Sequence, residues 1–145
     1  MAFTGNYATN TYKNGLNTGT FDLGTGTTQV FKIALYTNAA TLDATTTAYT
    51  ATGEVSATGY TAGGETLTVS QVPTVGASGT TSYYSFSNVS WSGSFTARGA
   101  LIYNSTNTNR GVAVLDFGTD QTSTAGDFTI VFPAAAAATA IIRIA

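Results

Sequence analysis

The chain carries seven carboxylates and five cations, and it contains neither histidine nor cysteine. Without His it lacks the commonest general base and metal ligand, and without Cys it lacks thiol nucleophiles, thiolate metal sites and disulfides. Ser, Thr and Tyr hydroxyls abound, but each needs an activating base, and Lys13 and Lys32 are the sole lysines. Glu54 and Glu65 flank the loop GYTAGG, Gly59 to Gly64. Two carboxylates on facing ends of a loop could cleave a sugar if held about 5–9.5 Å apart, although nothing else in the sequence asks for that chemistry. Asp116-Phe117-Gly118 matches the kinase metal-binding triplet by letter, without the strand lysine, the Gly-rich loop or the His-Arg-Asp that kinases need. Asp116, Asp120 and Asp127 lack the alternate-residue spacing and bidentate Glu of a calcium loop, and read as solvated loop carboxylates. The expectation is a non-enzymatic protein with no catalytic residue, no cofactor and no metal.

Charged residues make up 8% of the chain and the net charge is −2, against about 25% charged in an ordinary domain. Thr takes about a fifth of the positions, so the polar surface must be hydroxyl and amide. Five scattered cations cannot form the basic stripe that grips a phosphate backbone, so no nucleic acid is expected as partner. The start, MAFTGNYATN, lacks the cationic and apolar regions of a secretory signal, and no apolar run approaches about 18 residues. No membrane partner is therefore expected, and the protein should be made and kept in a cytoplasm. The acceptor motifs at Asn88 and Asn104 are then incidental.

Period-2 runs must position whatever acts. QVFKIALY, Gln29 to Tyr36, alternates Phe31, Ile33 and Leu35 with Val30, Lys32 and Ala34, a strand with one face buried. ETLTVSQV, Glu65 to Val72, repeats the pattern with Leu67 and Val69 inward. In SYYSFSNVSW, Ser82 to Trp91, the apolar parity slips near Ser87 and Asn88, which a β-bulge or bend explains. Phe95, Ala97, Leu101 and Tyr103 share one parity; Gly111 to Phe117, Phe128 to Phe132 and Ala140 to Ala145 read as further strands. Short strands at such intervals point to an antiparallel β-sandwich or barrel. Ala39 to Glu54 reads as a long surface connection, and PAAAAATA, Pro133 to Ala140, as a bend.

Two segments are left for contacts. Residues 1–24 form an N-terminal arm, ahead of a sandwich over 25–145. Phe3, Tyr7, Tyr12, Leu16 and Phe21 recur every four or five residues there, with room for one or two helical turns between Tyr7 and Leu16. The hairpin GALIYNSTNTNRGVAVLDFG, Gly99 to Gly118, puts hydroxyls, amides and Arg110 at its tip, where Asn104, Asn107 and Asn109 can donate and accept without burying an unpaired charge. Arg98 and Arg110 read first as solubilising, with an interface role as the alternative. The tyrosines suit either edge packing or contact with a carbohydrate or protein.

FKIALYTNAATLDATTTAYTATGEVSATGYTAGG from Phe31, FTARGALIYNSTNTNRGVAVLDFG from Phe95, and FTIVFPA with AIIRIA near the end resemble small virion structural proteins of tailed bacteriophages. The likeness runs from Phe31 onward. It implies a capsid decoration or cement protein, an all-β, antiparallel, jelly-roll-like sandwich on the outer capsid surface, made in the host cytoplasm. The implied partners are the major capsid protein and its own copies, as dimer or trimer. Some similar small β proteins belong to tails, so a tail or tail-fibre module that binds a host-surface glycan or protein is the alternative. The arm, NTYKNGLNTGTF from Asn10, departs from that group, in which more helix formers are usual.

Overall fold

The computed structural model describes residues 3–77 and 79–145. In chain order the elements are β1 (Tyr7–Ala8), α1 (Asn10–Asn17), β2 (Phe31–Tyr36), β3 (Glu65–Leu67), β4 (Val69–Val75), β5 (Ser82–Phe86), β6 (Val89–Asn104), β7 (Arg110–Ile130) and β8 (Ile142–Ile144). They form two antiparallel sheets, one of five strands in the order β1-β7-β6-β2-β3 and one of three in the order β4-β5-β8. The chain is thus all-β, a sandwich closed on the residues that alternation turns inward. Phe31, Ile33 and Leu35 of β2, with Trp91 and Phe95 of β6, meet Tyr84, Phe86 and Ile142 of the smaller sheet in one core. Burial of such side chains contributes about 1.5–3 kcal/mol each.

The chain changes sheet at two places, one marked by a slip in the alternation and one not. Between Leu67 and Val69 it leaves the larger sheet, and between Phe86 and Val89 it returns. The two crossings touch, since the Ser87 N–H donates to the Thr68 carbonyl at 2.9 Å. The slip at Ser87 and Asn88 is therefore a sheet switch between two strands, fixed further by the Asn88 Oδ1 accepting from Phe132 N at 2.9 Å. Glu65 to Val72 divides in the same way.

β6 and β7 make one long ribbon, running from Asn104↔Arg110 to Val89↔Ile130. Gly111 to Phe117 and Phe128 to Phe132 were expected as separate strands; the polar run between them pairs with β6 as well. β7 has 21 residues against 16 in β6, and its surplus is taken up at three register shifts. Gly118, at φ 78°, and Ala125, at φ 53°, lie in two of these bulges. The shift between Ala97 and Gly99 also divides a face that strict alternation keeps together. Phe95 and Ala97 enter the main core, whereas Leu101 and Tyr103 enter a second one.

That second core corrects the expectation that one face of β2 is solvated. Ala34 and Tyr36 on its other face are fully buried, together with Phe3, Ala40, Leu42, Leu101 and Val114. Ala39 to Glu54 is thus a cover over the larger sheet, with Ala40 and Leu42 turned inward. Its apolar residues are too few and too irregularly spaced to show a period.

Candidate interaction surface

The hairpin tip and the arm are where the sequence places contacts. At the tip, Asn104 has no exposed surface. Its Nδ2 donates to Gln29 Oε1 at 2.6 Å, and its Oδ1 accepts from Thr106 N and Asn107 N, both at 3.1 Å. Asn107 Nδ2 reaches back to the Thr20 carbonyl at 3.2 Å. Thr106 Oγ1 accepts from Val30 N at 2.8 Å, and Ser105 N donates to the Val30 carbonyl at 2.8 Å. The tip closes through Thr108 and Asn109, both left-handed at φ 51° and 56°, and the Asn109 carbonyl accepts from Tyr49 N at 2.9 Å. The amides of Asn104 and Asn107 serve the chain itself, knitting the tip to Thr20 and Gln29, while the backbone of Asn109 and Gly111 ties it to Tyr49 and Thr47. The Asn109 side chain remains exposed.

The arm is likewise docked within the molecule. Thr9 caps α1: its Oγ1 accepts from Tyr12 N at 3.0 Å and donates to the Gly111 carbonyl at 2.8 Å. Tyr12, Phe21 and Leu23 lie in the main core, and Phe3 in the second. Phe3, Tyr12 and Phe21 therefore drop out as partner contacts, because their rings cover this chain's own sheets. Tyr7 is half-buried, its hydroxyl against Thr4 Oγ1 at 2.8 Å. Leu16 stays 37% exposed. Arm and tip meet at a shallow groove in which Arg110 lies with Thr108, Thr47, Asn10 and Asn14.

Glu54 is the most heavily used carboxylate. Tyr49 donates to its Oε2 at 2.7 Å, while Tyr60 and Gly63 N donate to its Oε1 at 2.8 and 2.7 Å. The Tyr103 hydroxyl donates to the Gly63 carbonyl at 2.7 Å, and its ring stacks on Tyr49 with centroids 5.0 Å apart. Burial first, and then the hydrogen bond and charge of Glu54, push the Tyr49 hydroxyl up to about 12. Burial raises Tyr36, Tyr60 and Tyr103 too, with the Glu54 charge adding to each. With both oxygens held by three donors, Glu54 ties down the 49–63 loop; Glu65 takes no part in this cluster. Of the tyrosines that the sequence left open between packing and contact, Tyr12, Tyr36, Tyr84 and Tyr103 are buried and Tyr7, Tyr49, Tyr60 and Tyr83 are half-buried.

Arg98 pairs with Asp116 at 3.3 Å and reaches Asp120 at 3.9 Å. Asp127 stands apart, and among the described residues no three acidic groups gather as metal ligands. The outward face of the ribbon is built from hydroxyls: Ser90 bonds Thr129 and Thr96 bonds Thr122, each at 2.7 Å, and Ser94 Oγ accepts from Ala125 N at 2.7 Å. This face, and the groove along β7 lined by Leu115, Phe117, Phe128, Ile130 and Phe132, went unread in the sequence because 118–127 looks like a loop. The alternation of Ser90, Ser92, Ser94 and Thr96 with Trp91, Gly93 and Phe95 was the available signal.

Comparison of the chain with protein-family models, curated proteins and solved structures finds no match.

Proposed function

We propose that the protein is a non-enzymatic virion structural protein that decorates or cements a phage capsid shell, with the major capsid protein and its own copies as partners. The observation that carries this reading is the ribbon's outward face, where paired Ser and Thr hydroxyls replace charge. The hydroxyl pairs themselves can meet a neighbouring subunit without desolvating an ion, and they already have partners when exposed. The resemblance of the three quoted segments to small phage virion proteins gives the setting.

Reconstitution tests the reading. Particles assembled without the protein should bind it saturably and then resist heat better, and with so few charges to screen the binding should change little with ionic strength. Particles that fail to bind it, or shed it on a modest rise in salt alone, would count against this function.

A further inference from the structure

Two strand edges are free on one face of the sandwich. Among the described residues β1 covers the outer side of β7 at Val114 and Ala113, and no strand lies outside β7 from Asp116 to Ile130. β8 pairs with β5 and presents its other edge openly. The two edges border adjoining grooves, which share Asn6, Leu115 and Ile141. Beside the β7 edge, in the second of these grooves, Val131 is 69% exposed. Unpaired edges beside exposed apolar side chains invite another strand.

Charge selects the occupant. Asp127, at the β7 edge, has neither an ion pair nor a hydrogen bond among the described residues, whose ion pairs all involve Arg98. Arg143, in the middle of β8, has no carboxylate partner and donates to the Ala138 carbonyl at 2.6 Å. An acid on one free edge and a base on the other, both on one face, are complementary to the same face turned over.

We propose that this face is an isologous interface between two copies of the chain. The β8 edge of one protomer lies against the β7 edge of the other, and Arg143 meets Asp127 of the partner subunit, twice over, about a two-fold axis. Val131 is covered by the same contact. The inference gives a surface to the self-association included in the proposed function, and it is measured on the isolated protein, so its failure is read separately from the protein's place in a particle.

Sedimentation or light scattering should give a dimer at tens of micromolar. Arg143→Glu or Asp127→Arg alone should raise the dimer Kd about thirty-fold or more, and Arg143→Asp combined with Asp127→Arg should recover dimerisation. Circular dichroism checks that each variant is folded; if a reversal unfolds the chain, Arg143→Gln and Asp127→Asn take its place, with the same direction expected. A wild-type monomer, single variants that dimerise like the wild type, or a folded exchange variant that stays monomeric would each overturn the interface.

Discussion

The Phe3 ring occupies the space that a side chain on Gly99 would need, pinning the start of the chain to the outer face of the larger sheet. From there the chain passes through β1 at the edge of β7 and sends Tyr12, Phe21 and Leu23 into the core on the other face. The arm is thus a strap around a sheet edge. Phe3→Ala should cost about 3–5 kcal/mol, and Gly99→Ala about 1–3 kcal/mol by overpacking, both read from denaturant unfolding. Removal of residues 1–23 should leave a chain that unfolds or aggregates; a truncated protein with wild-type stability would contradict the strap.

Asn104 is a buried amide with every bond inside the molecule. Asn104→Ala strips the acceptor from two backbone N–H groups and the donor from Gln29, which should lower stability by about 1–3 kcal/mol for each group left unpaired. Hydrogen exchange at Thr106 and Asn107 should speed up accordingly. Unchanged exchange there would mean that the tip holds its shape without the amide.

The hydroxyls of Tyr12 and Tyr84 are buried close enough to influence each other, yet neither completes a hydrogen bond. Replacing both by Phe removes two unsatisfied polar groups while keeping the rings in place. The double variant should be as stable as the wild type or more so. A marked loss, beyond about 1 kcal/mol, would show that the two hydroxyls support each other.

Alkaline pH should unfold the protein. Burial raises the Tyr12 and Tyr49 hydroxyls from 10.0 to about 12, with Glu54 adding to the rise at Tyr49. A group whose pKa is higher in the folded state stabilises the fold fully below its unfolded value and loses that effect as pH climbs through the folded one. Stability should therefore hold up to about pH 10 and fall between 10 and 12. The tyrosinate absorbance of Tyr12 and Tyr49 should lag behind free tyrosine and then appear together with unfolding. Ordinary titration of Tyr12 and Tyr49 in a folded chain would sink this account.

Strand-forming segments were legible wherever alternation was clean, as in Phe31 to Tyr36, because one period decides which side chains a sheet can bury. Two kinds of feature were hidden. Ser87 looks like a slip in a strand, since a change of sheet and a bulge leave the same mark on parity, and the change at Thr68 leaves no mark at all because Leu67 and Val69 keep one parity. The second core was hidden because Phe3, Ala40 and Leu42 lie in irregular segments, with no period to announce that they face inward. At the candidate site, Asn104 was chosen for polar groups free to meet a partner; its buried partners, Gln29 among them, lie far off in sequence and cannot be read from local composition.

Copy number and position in purified particles bear most directly on the proposed function. Quantitative mass spectrometry of particle protein, with labelled antibody to place it, should find hundreds of copies per particle, distributed over the outer shell. A handful of copies confined to the tail, or none in the finished particle, would contradict a capsid decoration or cement role.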